Sequence, residues 1–123
     1  MKIKTSELEG AALDWAVAKG AGWNVYTRNG RVYQADVMGT VDTPAFPFSP
    51  SRRWDMVGPL IERFQIMTKS SASGTWIALI PVPKKDGYLD WIKTSGQSPL
   101  IAACRAIVAA KLGDEVEVPE ELA

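Results

Sequence analysis

Apolar residues along this chain recur at helical spacing near both ends and shift to strand-like patterns between. Leu8, Ala11, Ala12 and Trp15 fall on one face of a 3.6-residue period. Ser6 followed by Glu9 has the form of a capping box, so the pattern predicts a helix over residues 6–19 ended by Gly20 and Gly22. Residues 23–28 and 31–37 flank Asn29-Gly30, the dipeptide of a tight primed turn, and predict a hairpin. Ser98-Pro99 then opens the clearest helix. Leu100, Ala103, Cys104, Ile107 and Val108 form its apolar stripe and Gly113 closes it.

The middle of the chain is less regular. From 39 to 51 it carries Pro44, Pro47 and Pro50 among Phe46, Phe48 and several hydroxyl residues, and each proline removes a backbone donor. This reads as a long ordered loop studded with aromatics, a first candidate for a binding element. Gly58-Pro59 ahead of Leu60-Ile61-Glu62-Arg63 predicts a short helix with proline in its first turn, passing into a strand over 64–68. Residues 75–82 place Trp76, Ala78 and Ile80 on one face and Ile77 and Leu79 on the other, the pattern of a central strand buried on both sides. A turn over 83–87, a strand over 88–92 and a polar loop over 94–97 complete the middle. Residues 114–123 read as a solvated acidic tail with a short extended stretch at 116–118. The elements add up to an α+β fold, a small antiparallel or mixed sheet packed by an N-terminal and a C-terminal helix.

Length and composition set the frame for these elements. At 123 residues, 46% hydrophobic and 23% charged, the chain reads as one domain spanning 1–123. Fourteen basic and fourteen acidic residues cancel, so no overall positive field gathers phosphate backbones and generic nucleic-acid binding is disfavoured. No apolar run approaches membrane-spanning length, and no leader pattern opens the sequence, so a cytoplasmic location is expected. Histidine is absent and Cys104 is the single cysteine, which removes the usual general base and the common zinc ligand sets. Cys104, between Ala103 and Arg105 on a helix, reads as a small buried hydrophobe. No cofactor, no metal site and no catalytic residue is expected. Among Asp36, Asp42, Asp55, Glu62 and Asp90, spacing singles out no pair for acid–base work.

Candidate binding residues come from the tryptophans and arginines. Trp15 and Trp76 sit at core spacings, whereas Trp54 lies beside Arg52, Arg53 and Asp55 outside any apolar period. A flat ring next to guanidinium groups and the hydroxyls of Ser49 and Ser51 suits a planar, anionic ligand such as a nucleotide. Trp91 is a second stacking candidate, with Arg63 and Arg105 as further partners for phosphate. The bland alternative is that Trp54 plugs a core edge, the arginines are solvated, and Arg105 is buried against a carboxylate. Lys84-Lys85 reads as a solvated basic turn, and no Walker or dinucleotide pattern is present.

The full chain also resembles a family of small phage proteins called NinX or NinX-like. The resemblance rests on Met1-Lys2-Ile3-Lys4-Thr5-Ser6-Glu7-Leu8 with Leu13-Asp14-Trp15-Ala16, on Phe48-Ser49-Pro50-Ser51 with Trp54, and on Gly58-Pro59-Leu60-Ile61-Glu62-Arg63. It continues through Trp76-Ile77-Ala78, Ser98-Pro99-Leu100-Ile101-Ala102-Ala103 with Arg105, and Lys111-Leu112-Gly113-Asp114-Glu115-Val116. Arg52-Arg53 departs from the polar or acidic pair usual there, which would alter specificity if that segment touches a ligand. The resemblance implies a phage accessory protein in a bacterial host's cytoplasm and carries no established activity. By analogy with small phage proteins that sequester nucleotide immune signals, the first reading is a non-enzymatic sponge for a nucleotide-like ligand, active alone or as a homo-oligomer. The second is an adaptor that holds a host or phage protein through Phe46, Phe48 and Trp54. The third is a metal-independent hydrolase of such nucleotides.

Overall fold

In a computed structural model, residues 1–35 and 46–123 are described. Their elements are β1 (Lys2–Lys4), α1 (Gly10–Ala21), β2 (Val25–Arg28), β3 (Arg31–Gln34), β4 (Phe46–Pro47), α2 (Trp54–Phe64), β5 (Met67–Ser70), β6 (Trp76–Pro83), β7 (Leu89–Gly96), α3 (Pro99–Leu112) and β8 (Glu115–Glu117). The fold is α+β, with three small antiparallel sheets among the described residues, ordered β1-β8, β2-β3-β4 and β5-β6-β7. No helix among the described residues is long and apolar enough to cross a membrane.

Helix α3 is the spine. Leu100, Ala102, Ala103, Cys104, Ala106, Ile107 and Val108 are all buried, more than one stripe can account for, because the helix is covered on several sides. Its own sheet, β5-β6-β7, packs on one side and α1 on another. Ser98 caps it by accepting the Ile101 N–H at 3.1 Å, with Pro99 in the first turn, as the sequence predicts. Close approach is enforced twice. A Cβ on Gly96, the last residue of β7, would stand 2.8 Å from the Ala102 amide nitrogen and from Ile101, and one on Gly20 would stand 3.1 Å from Lys111 Cβ. Arg105 adds two polar ties, donating from Nε to the Leu8 carbonyl and from Nη1 to the Ser95 carbonyl, each at 2.9 Å. Its partners are thus backbone carbonyls, not the carboxylate that the bland reading expects.

Several boundaries differ from the sequence reading. The first helix begins at Gly10, and Ser6-Glu9 forms no capping box; Thr5–Glu7 is instead a 3-10 turn. Thr5 explains this. Its N–H donates to the Asp114 carbonyl at 2.8 Å and its hydroxyl to the Gly113 carbonyl, so the segment is held to the end of α3, and Gly10 at φ +58° breaks any right-handed helix from Ser6 onward. Helix α2 starts at Trp54, which leaves Pro59 inside it; burial of Val57 and Leu60 offsets the lost amide donor. Gln65, left-handed at φ 55°, ends that helix, and the predicted strand at 64–68 moves to Met67–Ser70. Strand β7 runs on to Gly96 and absorbs all but Gln97 of the predicted polar loop at 94–97, because β6 pairs with it residue by residue from Pro83↔Leu89 to Trp76↔Gly96. The predicted hairpin forms over Val25–Arg28 and Arg31–Gln34, with Asn29 and Gly30 both at positive φ, while residues 36–37 of its expected second strand lie outside the described residues. Of the aromatic loop, residues 39–45 lie outside the described residues. Phe46–Pro47 pair with β3, and Phe48 is buried against the Trp23 ring at 5.2 Å.

Residues 114–123 are not a solvated tail. β8 pairs with β1, Val116, Val118 and Leu122 are buried, and Thr27 donates a hydrogen bond to Glu121. The acidic side chains merely alternate with the inward ones. Strand β6 is also covered differently from expectation: Ala78 and Ile80 face α3 and are buried, while Ile77 and Leu79 are only half-buried.

One buried charge stands inside this frame. Asp14 on α1 is almost fully buried and accepts the Ser51 N–H at 2.9 Å, pinning the Phe48–Ser51 segment to the helix. Burial pushes its carboxyl up from 3.8 to about 6, against the opposing pull of the Ser51 amide and the Arg52 charge. The folded carboxyl therefore holds its proton more tightly than the unfolded one. The cost is fully present above pH 6 and fades as pH falls toward 4. Asp14→Asn keeps an acceptor for Ser51 but cannot titrate. In urea unfolding, wild type is expected to gain about 2 kcal/mol relative to Asp14→Asn between pH 7 and pH 4.5. Gly96→Ala, which forces a methyl against α3, is expected to lower stability by about 1–3 kcal/mol in the same assay.

Candidate functional site

Two concave regions bear on function, and the sequence-predicted residues divide between them and the open surface. The first surrounds Asp14. Phe48-Ser49-Pro50-Ser51 turns over the N-terminal half of α1, with Arg52 N–H donating to the Ser49 carbonyl at 3.0 Å and Ser49 N–H to Met56 Sδ at 3.3 Å. Ser49 and Ser51 are buried, and the Ser51 hydroxyl is closed off from solvent. A cavity of about 170 Å³ opens beside them, with Asp14, Ser49, Arg31, Arg52, Tyr33 and Phe48 in its wall. That is below the size of a nucleotide site. Ser51 Oγ makes no hydrogen bond of good geometry among the described residues, yet it stands near enough to the Asp14 carboxyl to help draw its pKa down. The arrangement is a polar seat that docks a loop onto a helix.

The second region is a cleft of about 430 Å³ between the β1-β8 ribbon and the edge strand β7. Lys4 and Ser6 line one side with Asp114 and Glu115, Lys93 and Ser95 the other, and Ile92 and Ala109 supply apolar wall. Arg105 lines it too, with Thr5 and Thr94, but these three already spend hydrogen bonds on backbone carbonyls. Burial pushes the Arg105 pKa down while Glu9 nearby opposes that shift. Three cations facing two carboxylates leave the cleft weakly positive.

The remaining predicted residues lie elsewhere. Arg53 grips Asp55 in a two-point contact at 2.9 and 3.1 Å, and Trp54 next to it is 59% exposed. Arg63 donates to the Ala21 carbonyl at 3.0 Å and stacks over Phe64, tying α2 to the end of α1. Trp91 stands on the outer face of β7. Of the predicted residues, then, Ser49, Ser51 and Arg52 gather around Asp14, Arg105 reaches the cleft, and Arg53, Trp54, Arg63 and Trp91 join neither. Sequence reasoning did not single out Asp14, Lys4 or Lys93. Asp14 was legible in one respect: Ala11, Val17, Ala18 and Ala21 share its side of the helix, so a carboxylate there must turn inward. Lys4 and Lys93 carry no such signal, since their meeting depends on β1 lying across from β7.

Cys104 is fully buried, as the sequence predicts; desolvation pushes its thiol above the usual range, and the charge of Asp14 adds to that, leaving it inert.

No curated protein matches this chain. A family model described as "Bacteriophage P22, NinX" matches residues 4–111, which takes in α1, α2, all of α3 but its last residue, Phe48-Ser49-Pro50-Ser51 and most of the cleft wall. The chain belongs to the phage P22 NinX family.

Proposed function

We propose that this phage protein works as a non-enzymatic binder of a small nucleotide-like molecule, held in the cleft between the β1-β8 ribbon and β7. The size of that cleft carries the reading. At about 430 Å³ it falls within the range of small-molecule sites, and its wall mixes an apolar floor with a few convergent polar groups. Lys4 and Lys93 are suited to phosphate oxygens. Asp114 and Glu115 are suited to sugar hydroxyls, the role carboxylates take against a ribose. The near balance of charge favours a ligand with one or two phosphates over a polyanion. The cleft offers no stacking ring among its wall residues, so a base would rest on Ile92 and Ala109.

Sequestration fits this wall better than turnover. The polar side chains include no activated nucleophile, and the carboxyl raised to about 6 is Asp14, which belongs to the other cavity. A host immune signal is the ligand class that gives a phage a reason to keep such a binder. The adaptor reading retains Phe46, 58% exposed, and Trp54 as anchors but loses Phe48 to the core.

Native mass spectrometry of protein purified from bacteria with active nucleotide-signalling defences tests the reading. An intact phosphorylated molecule is expected to leave on denaturation. Lys4→Glu, which reverses a phosphate partner, and Ala109→Trp, which fills the cleft, should each lower its occupancy at least about tenfold, equivalent to some 1.4 kcal/mol. Protein that emerges empty and shows no thermal shift with a nucleotide panel would sink the proposal, and release of a cleaved product would make the protein an enzyme.

A further inference from the structure

Strand β6 is apolar on both faces, yet only one of them is fully covered. The face toward α3 carries Ala78 and Ile80. The register of the sheet puts Ile77, Leu79 and Pro81 on the other face, with Met67 of β5 opposite Leu79 and Trp91 and Leu89 of β7 opposite Pro81 and Pro83. Met67 is 53% exposed, Leu89 57% and Trp91 45%. Ile77 and Leu79 are not among the partly buried residues that pack against the core. Such a contiguous apolar sheet face is what a second layer normally covers.

Charge narrows the choice of that layer. The same register places Lys69 and Lys93 on this face and no carboxylate, and the turn joining β6 to β7 adds Lys84 and Lys85 beyond its far end, with Asp86 offsetting one of them while it accepts the Tyr88 N–H. A second copy docked face to face would bring its own lysines toward these and supply no acid from the sheet. An acidic partner would meet them at both ends.

We infer that the outer face of β5-β6-β7 docks an amphipathic acidic segment of another protein, its apolar ridge lying over Leu79, Pro81 and Trp91 and its carboxylates meeting Lys69, Lys93 and the lysine turn. A helix fits this surface, because it would complete a helix–sheet–helix layering in which β6 is buried on both sides, as its composition requires. The surface is separate from the cleft wall except at Lys93 and Ser95, which border both.

Two synthetic amphipathic helices probe the face on the intact protein, one with leucine on one side and glutamate on the other, the second with lysine in place of glutamate. Binding is followed by calorimetry and by amide NMR shifts. The leucine–glutamate helix is expected to bind, to shift resonances of β5, β6 and β7, and to lose at least about tenfold in affinity on Leu89→Glu and on Lys69→Glu. Both variants alter exposed side chains away from the cleft, so their thermal midpoints should stay with wild type and confirm that folding is kept. Equal binding of the two helices, no binding, or shifts confined to other elements would overturn the inference. So would a stable dimer that Leu89→Glu dissociates, which would assign the face to a second copy of this chain.

Discussion

Almost every part of this molecule is positioned by the burial of α3. Alanines at 102, 103 and 106 let neighbouring backbones come close, and Gly96 and Gly20 have no space for a side chain at the points of approach. A helix enclosed this way has little freedom to rotate or slide, because each contact is set by backbone rather than by adjustable side chains. Arg105 then fixes the two strands of chain that pass over it, Leu8 ahead of α1 and Ser95 at the end of β7. The cleft is a consequence. Its two sides, Lys4 to Ser6 and Ile92 to Ser95, are held at their separation by the same helix and the same arginine. An Arg105 substitution would therefore change cleft shape and stability together and could not report on ligand contact.

The parts of the fold legible in the sequence were those decided locally. Ser98-Pro99, the α3 stripe and Asn29-Gly30 act through neighbours within a few residues, and each appears where its chemistry puts it. The failures share a different cause. Ser6 and Glu9 have the side chains for a capping box, but Thr5 finds stronger company in the Gly113 and Asp114 carbonyls more than a hundred residues away. Thr94 and Ser95 look like loop residues until β6 supplies a full-length partner. Residues 114–123 look solvated because their acids are conspicuous, whereas Val116, Val118 and Leu122 carry the packing.

The candidate site shows the same division. Phe48-Ser49-Pro50-Ser51 with Arg52, Arg53 and Trp54 has the composition of a binding loop, and a loop that must be docked onto a helix needs the same residue types: an aromatic to bury, prolines to stiffen the path, and polar groups to satisfy the backbone. Composition cannot separate the two. The separating fact is Asp14, whose carboxylate lies under the loop and takes the Ser51 amide, and only the three-dimensional pairing of α1 with that loop reveals it. Arg53 and Trp54 then fall at the exposed start of α2, where Asp55 neutralises the guanidinium. The residues that build the larger cleft come from both ends of the chain and from β7, a combination with no local signature.

Strand β6 is the case in which sequence and structure conflict without either being at fault. Its alternation, Trp76-Ile77-Ala78-Leu79-Ile80, specifies apolar contact on both sides, and a lone domain gains nothing from leucine, isoleucine and a neighbouring tryptophan left partly open to water. A polar face would protect the sheet from unwanted association. An apolar face, bordered by lysines and with no acid among its strand residues, fits a strand built for two layers of which this chain provides one. Sequence patterning in that view describes the assembled state, and the half-exposed Ile77 and Leu79 mark where the chain alone stops short of it.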